Sequence, residues 1–200
     1  RKGVMLALMI SFIGFFILNR KDRKINYFIL TISICTVFVL TLHFKESIYK
    51  RFSEIVSEDT YQLINQNNST SIRHSIYKCS LVVIYANPLI GYGIGDATDT
   101  LVNCYMGKSE LLVNERYNSH NQFLAITLYI GLIGLGVFIW QLILYLKNAI
   151  RNKDIVYFQV LLFFIFLFLT ENILDRQSGV ILFSFIANFF FFNNLSNKHN

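Results

Sequence analysis

From Phe123 to Leu146 the sequence carries no charged residue. That run is longer than the ~20 helical residues needed to cross a hydrocarbon core of ~30 Å. Four further apolar runs accompany it: Val4–Leu18, Ile25–Leu42, Ile155–Leu169 and Val180–Phe192. Ile25–Leu42 just reaches the short end of the spanning range, roughly 17 residues. The other three reach it only when flanking polar residues join them. Overall 54% of the residues are hydrophobic, above the ~45–50% of an average globular domain. The sequence therefore predicts an all-α integral membrane protein, a multi-span helical bundle. Because a span begins almost directly after Arg1, where a complete chain starts with Met, we expect a fragment: the later part of a longer multi-span protein.

Charge placement orients the spans. The net charge is +6, but the basic residues are not gathered as a nucleic-acid surface would gather them. Arg20, Lys21, Arg23 and Lys24 lie in one short loop, and Lys147, Arg151 and Lys153 lie in another. Short basic loops between spans stay in the cytoplasm. The long segment from His43 to Ser119 is nearly neutral and falls outside by alternation, as does the turn Glu171–Gly179. The expected organisation has three parts. Residues 1–42 form two transmembrane helices with a basic cytoplasmic loop, residues 43–119 an external loop, and residues 120–200 three transmembrane helices with a cytoplasmic C-terminus. Arg1 and Lys2 would then lie outside, which fits the charge rule only if the natural chain continues upstream.

The external loop far exceeds the ~12–15 residues beyond which a connection is functional or disordered. Its first part, Lys45–Thr70, is polar and irregular. Within Ser71–Ala86, Ile72, Ile76, Cys79 and Val83 recur at helical spacing, while Arg73 and Tyr77 stand four apart on another face. That pattern predicts an amphipathic helix on the outer membrane surface, with Ser71 as its N-cap. Pro88 ends it, because the residue before a proline disfavours helical geometry. Cys79 and Cys104 share this segment, and the sequence leaves open whether they pair as a disulfide. With no CxxC or HExxH anywhere, neither a metal site nor a cofactor is expected.

Residues Asn87–Asp96 read NPLIGYGIGD. A dinucleotide site needs G-x-G-x-x-G between a strand and a helix, whereas the spacing here is G-x-G-x-G after an amphipathic helix. Gly91-Tyr92-Gly93 copies the centre of a potassium filter, but Leu89-Ile90 stand where threonine and valine belong and the next span is too distant for a pore hairpin. A tight turn built on Pro88, Gly91, Gly93 and Gly95 is the expectation.

His120 stands with Ser119 and Asn121 where this loop meets the longest span. A lone histidine at such a boundary is more often a plain interfacial residue. However, Asn118 or Ser119 as a cap would leave N–H groups and a positive dipole end there for an anion. The same dipole would keep the imidazole neutral and able to act as a base. Arg73 is commonly just a solvated side chain on such a helix; its alternative is a planar donor pairing with a phosphate. Glu171 and Arg176 flank the last outer turn, as boundary charges or as part of the same lining.

In order along the chain, four motifs resemble those of the O-antigen ligase and O-antigen polymerase superfamily, which also holds bacterial protein O-oligosaccharyltransferases. They are Arg73 with Tyr77, Pro88-Leu89-Ile90-Gly91-Tyr92-Gly93, His120-Asn121-Gln122-Phe123-Leu124, and Gly131-Leu132-Ile133-Gly134-Leu135. The chain departs from the family in having Tyr77 where tryptophan is usual, and Tyr129-Ile130 where an acidic residue is frequent. The resemblance implies a GT-C-like glycosyltransferase, free of metal and nucleotide, on the outer face of the bacterial inner membrane. It implies an undecaprenyl-diphosphate-linked glycan donor and, as acceptor, a sugar hydroxyl of lipid A–core or of another lipid-linked repeat unit. On it, His120 is the expected base, Arg73 the diphosphate ligand, and Tyr77 and Asn121 further substrate contacts. A transporter or flippase of the same lipid-linked glycan is the alternative.

Overall fold

The computed structural model describes residues 69–196. The expected spans within residues 1–42 and the irregular connection up to Asn68 lie outside the described residues, as do residues 197–200. Among the described residues the structure is all-helical. The elements are α1 (Ser69–Ala86), α2 (Gly93–Tyr105), α3 (Glu110–Asn114), α4 (Gln122–Arg151), α5 (Ile155–Thr170), a 3₁₀ turn (Ile173–Asp175) and α6 (Gln177–Ser196). Two of these helices, α4 and α6, are long and apolar enough to cross a membrane, and α5 is apolar but shorter.

Two hydrophobic cores hold them. The first core packs Ile76, Cys79 and Val83 of α1 against Ala97, Leu101, Val102 and Tyr105 of α2, closed by Leu112 of α3 and Leu128 of α4. Cys79 and Cys104 form a disulfide that ties α1 to α2, with their Cα atoms 5.8 Å apart. The second core packs Leu142, Tyr145 and Ala149 of α4 with Tyr157, Leu161, Phe164 and Phe168 of α5 and Phe183 and Ala187 of α6. Ser71 is not the cap of α1, which already runs from Ser69; it is a buried residue inside the first turns. The stretch after Asp96 looks merely polar in sequence, yet it folds into α2 and α3 because Ala97, Leu101 and Tyr105 bury one helical stripe.

The decisive local feature is a break inside α4. Ile130 (φ −130°, ψ 15°) and Gly131 (φ 68°, ψ −170°) leave helical geometry. The Gly131 conformation is open essentially to glycine alone. In an unbroken helix the N–H of Leu132 would donate to the carbonyl of Leu128. Here the turn after α1 takes both partners. Leu132 N–H donates to Pro88 O at 2.8 Å, and Tyr92 N–H donates to Leu128 O at 2.8 Å. Two backbone groups that would each be costly to leave unpaired in an apolar setting are thereby satisfied. The approach is close on both sides. A Cβ added at Gly131 would meet Leu89 O at 2.0 Å, and one added at Gly91 (φ +73°) would meet Leu128 O at 2.7 Å.

This settles which glycines make the turn. Gly91 and Gly93 have positive φ (73° and 83°), as a sharp turn needs. Gly95 does not belong with them: it lies in the first turn of α2 with an ordinary φ and open space around it. The turn runs from Asn87 to Gly93, the first residue of α2, rather than to Asp96, pinned by Asn87 Nδ2 donating to Gly91 O and Tyr92 OH donating to Val83 O at 3.1 Å.

Candidate functional site

Arg73, His120 and Glu171 meet at the N-terminal end of α4. Arg73 comes from α1, His120 from the residues just before α4, and Glu171 from the residue that follows α5. Arg73 Nη2 lies 3.6 Å from Glu171 Oε1, and His120 Nδ1 lies 3.8 Å from Glu171 Oε2. All three side chains are partly exposed, at 40%, 26% and 30% respectively, so a ligand can reach them and water screens their charges. Arg176 is exposed, and among the described residues no ion pair joins it to Glu171.

The backbone of His120 is held in the left-handed region at φ +47°. Histidine is enriched there among non-glycine residues, but the conformation needs support. Three neighbours supply it. His120 N–H donates to Asn118 Oδ1 at 3.2 Å, Tyr77 OH donates to His120 O at 3.5 Å, and Ser119 OH donates to Asn121 O at 2.9 Å. The ring of Tyr117 lies 5.7 Å from the imidazole.

The cap of α4 is Asn121, not Asn118 or Ser119. Its Oδ1 accepts from Phe123 N–H at 2.9 Å and Leu124 N–H at 3.1 Å, and its Nδ2 donates to Leu169 O at 3.2 Å. The first turn of α4 is therefore closed by its own side chain, and these N–H groups are not open to an external anion. Tyr77 and Asn121, expected as substrate contacts, are engaged in holding the His120 segment.

The outer turn after α5 is laced to the same segment. Asn172 Nδ2 donates to Ser119 Oγ at 3.2 Å and to Asp175 Oδ2 at 2.9 Å. Asp175 also accepts from Tyr129 OH at 3.0 Å and Asn118 Nδ2 at 3.5 Å. Gln122 Oε1 accepts from Leu174 N–H at 2.7 Å. Glu171 is thus set on a fixed turn.

Burial lowers the pKa of His120, the positive charge of Arg73 lowers it further, and Glu171 pulls the other way. The net direction is down from the usual ~6.5, so the imidazole is neutral at neutral pH. A neutral imidazole beside a guanidinium, at the polar end of an apolar helix, can take a proton from a hydroxyl while the guanidinium holds an anion. A separate depression of about 690 Å³ is lined by Met106, Lys108, Glu110 and their neighbours and includes none of the three residues. It carries no comparable chemistry.

Sequence reasoning weighed Glu171 mainly as a boundary charge and did not find the break at Gly131. The signal for Glu171 was present: it is the carboxylate at the outer end of the apolar run that follows His120's own. The sequence model of a family described as O-antigen ligase matches residues 1–139, a stretch that takes in Arg73, the glycine turn, His120 and the break in α4. No curated protein matches the chain.

Proposed function

The chain belongs to the O-antigen ligase family, and from that premise we propose that it transfers a glycan from undecaprenyl diphosphate to a sugar hydroxyl in surface-polysaccharide synthesis. The observation that carries this reading is the meeting of Arg73 and His120 at one carboxylate beside the start of an apolar helix. A donor whose lipid lies in the bilayer presents its diphosphate at that level. Arg73 binds the diphosphate through its planar fork. His120 Nε2 takes the proton of the acceptor hydroxyl as its oxygen bonds to the anomeric carbon. The bond from that carbon to the phosphate oxygen breaks, and its electron pair leaves on the diphosphate, where Arg73 stabilises the charge. The proton passes from the imidazolium to water. Tyr77 and Asn121 serve by holding the His120 backbone.

The site faces the outside of a bacterial inner membrane, within a multi-span GT-C-like bundle. The disulfide between Cys79 and Cys104 supports that side, since disulfides persist in oxidising compartments. Both the short basic loop Lys147–Lys153 and the neutral His43–Ser119 segment agree with it. The acceptor is a glycan hydroxyl, of lipid A–core in a ligase or of a second repeat unit in a polymerase.

Separate H120A and R73A replacements test the reading. Each is expected to abolish long surface polysaccharide while the protein still accumulates in the membrane. Normal long-chain glycan from both inserted variants would overturn it. Glycan left unlinked on its lipid marks a ligase, and single-unit glycan marks a polymerase. The pH dependence adds a further check. With the His120 pKa lowered, transfer should hold its full rate at neutral pH and fall only below about pH 6.5, as the imidazole protonates. A loss already complete at neutral pH would argue against His120 as the base.

A further inference from the structure

Glu171 takes no part in the transfer just described, yet it joins the two groups that do. Its oxygens lie 3.6 Å from the guanidinium and 3.8 Å from the imidazole. Charge-assisted hydrogen bonds are shorter, about 2.7–2.9 Å. The carboxylate is therefore shared between two partners and closed onto neither. Its backbone is fixed by donation from Glu171 N–H to Leu167 O at 2.9 Å, and the next residue, Asn172, is buried and hydrogen-bonded to Ser119 and Asp175. Only the side chain has freedom, and a small shift commits it to one side or the other.

We propose that Glu171 is a positioning residue that couples anion binding at Arg73 to the readiness of His120 as a base. This rests on the reading of Arg73 and His120 given above. With no anion present, the guanidinium holds part of the carboxylate and directs its positive charge at the imidazole. When a diphosphate pairs with Arg73, that charge is neutralised and Glu171 is released. The freed carboxylate accepts from Nδ1–H of His120, which fixes the proton on Nδ1 and leaves the Nε2 lone pair for the acceptor hydroxyl. It then faces the imidazolium that forms on proton uptake. The base is thus strongest when the donor is in place. Among the described residues, the charged and titratable groups around the imidazole are Arg73 and Tyr77 from α1, Tyr117 just ahead of it, and Glu171 from the turn after α5, with Asp175 one step away through Asn118. Of these, Arg73 is the one whose charge a bound diphosphate would cancel.

The test uses the full-length protein in lipid vesicles, with lipid-linked glycan extracted from the producing cells as donor. Wild type, E171Q and E171D are compared for kcat, donor KM and pH profile, and an intact Cys79–Cys104 disulfide serves as the check on folding. E171Q should lower kcat by about 10–100-fold, as loss of a histidine's supporting partner does. Its donor KM should stay level or fall, because Arg73 loses a competitor. E171D should restore most of kcat. In wild type the acid limb of kcat, which reports the donor complex, should lie at higher pH than that of kcat/KM, which reports the free enzyme. E171Q should close that gap. A folded E171Q with wild-type kcat and an unchanged gap overturns the proposal. If E171Q does not accumulate, E171D decides: a retained gap with partial kcat supports coupling, and a lost gap at full kcat overturns it. Should H120A keep wild-type kcat, the base reading itself fails, whatever Glu171 does.

Discussion

The outer and inner halves of the described structure are both helical, but they are held together by different means. The core of α1–α3 is built mainly from small and aliphatic side chains around Ile76, Ala97, Leu101 and Leu128, with Tyr105 its one fully buried ring and one disulfide across it. The inner core is largely aromatic. Phe183 meets Phe164 at 5.1 Å and Phe168 at 5.2 Å between ring centroids, both edge to face, and Tyr157 stacks on Phe190 at 5.4 Å. Where lipid surrounds a helix pair, little hydrophobic force drives it together, and close packing must supply the attachment. Interlocking rings do this in the inner half. In the half built on α1–α3 the disulfide limits how far the packed apolar faces can part. Arg73, His120 and Glu171 sit on the seam between the two halves, at the start of α4.

Five changes would break or sharpen this contrast. The largest effect is expected at Gly131, where the two halves are joined. Gly131→Ala drives a Cβ into Leu89 O and forces the turn off α4, freeing Leu128 O and Leu132 N–H. We expect a loss of more than about 4 kcal/mol, in the range of broken buried networks, seen as failure to accumulate or as loss of transfer. A fully active Gly131→Ala protein would show that the turn need not dock. Next comes the aromatic core: Phe183→Ala should cost about 3 kcal/mol through the cavity it leaves, read as a lower melting temperature in detergent. Replacing Cys79 and Cys104 together by serine should cost about 3.5 kcal/mol at most, since the bond closes a loop of sequence separation 25. That loss should loosen the outer half alone, so protease sensitivity should rise between α1 and α2 while α5 and α6 stay protected. Gly95→Ala is the smallest. Because Gly95 is helical with open space around it, alanine should stabilise α2 by about 0.5–1 kcal/mol, whereas Gly91→Val should cost activity.

What the sequence reveals follows the periodicity of its apolar residues. Ile72, Ile76, Cys79 and Val83 announce α1, and an uncharged run announces α4. Arg73 and His120 are ordinary singly at such boundaries and stand out through the motifs they belong to, Arg73 with Tyr77 and His120 with Asn121-Gln122-Phe123-Leu124. The break in α4 is hidden, because Gly131 in an apolar run reads like any small residue packed in a span; the residues that require it lie in the turn at Pro88–Tyr92. The identity of the cap is hidden for a similar reason: Asn118, Ser119 and Asn121 all suit the position, and only the path through His120 at positive φ selects Asn121. Glu171 was ambiguous because its meaning depends on which distant side chains face it. α2 could have been found, since Ala97, Leu101 and Tyr105 are spaced at four residues, but acidic and polar neighbours mask them.

The junction at Gly131 also sets an order of events during synthesis. Pro88 and Tyr92 emerge from the ribosome well before Leu128 and Leu132, their backbone partners. The turn must therefore wait in water, hydrated at those groups, until α4 has been delivered to the membrane. Only then can the two exchange solvent for each other. Arg73, His120 and Glu171 are brought together by that late docking, so a nascent chain stalled before α4 would hold Arg73 with neither partner beside it.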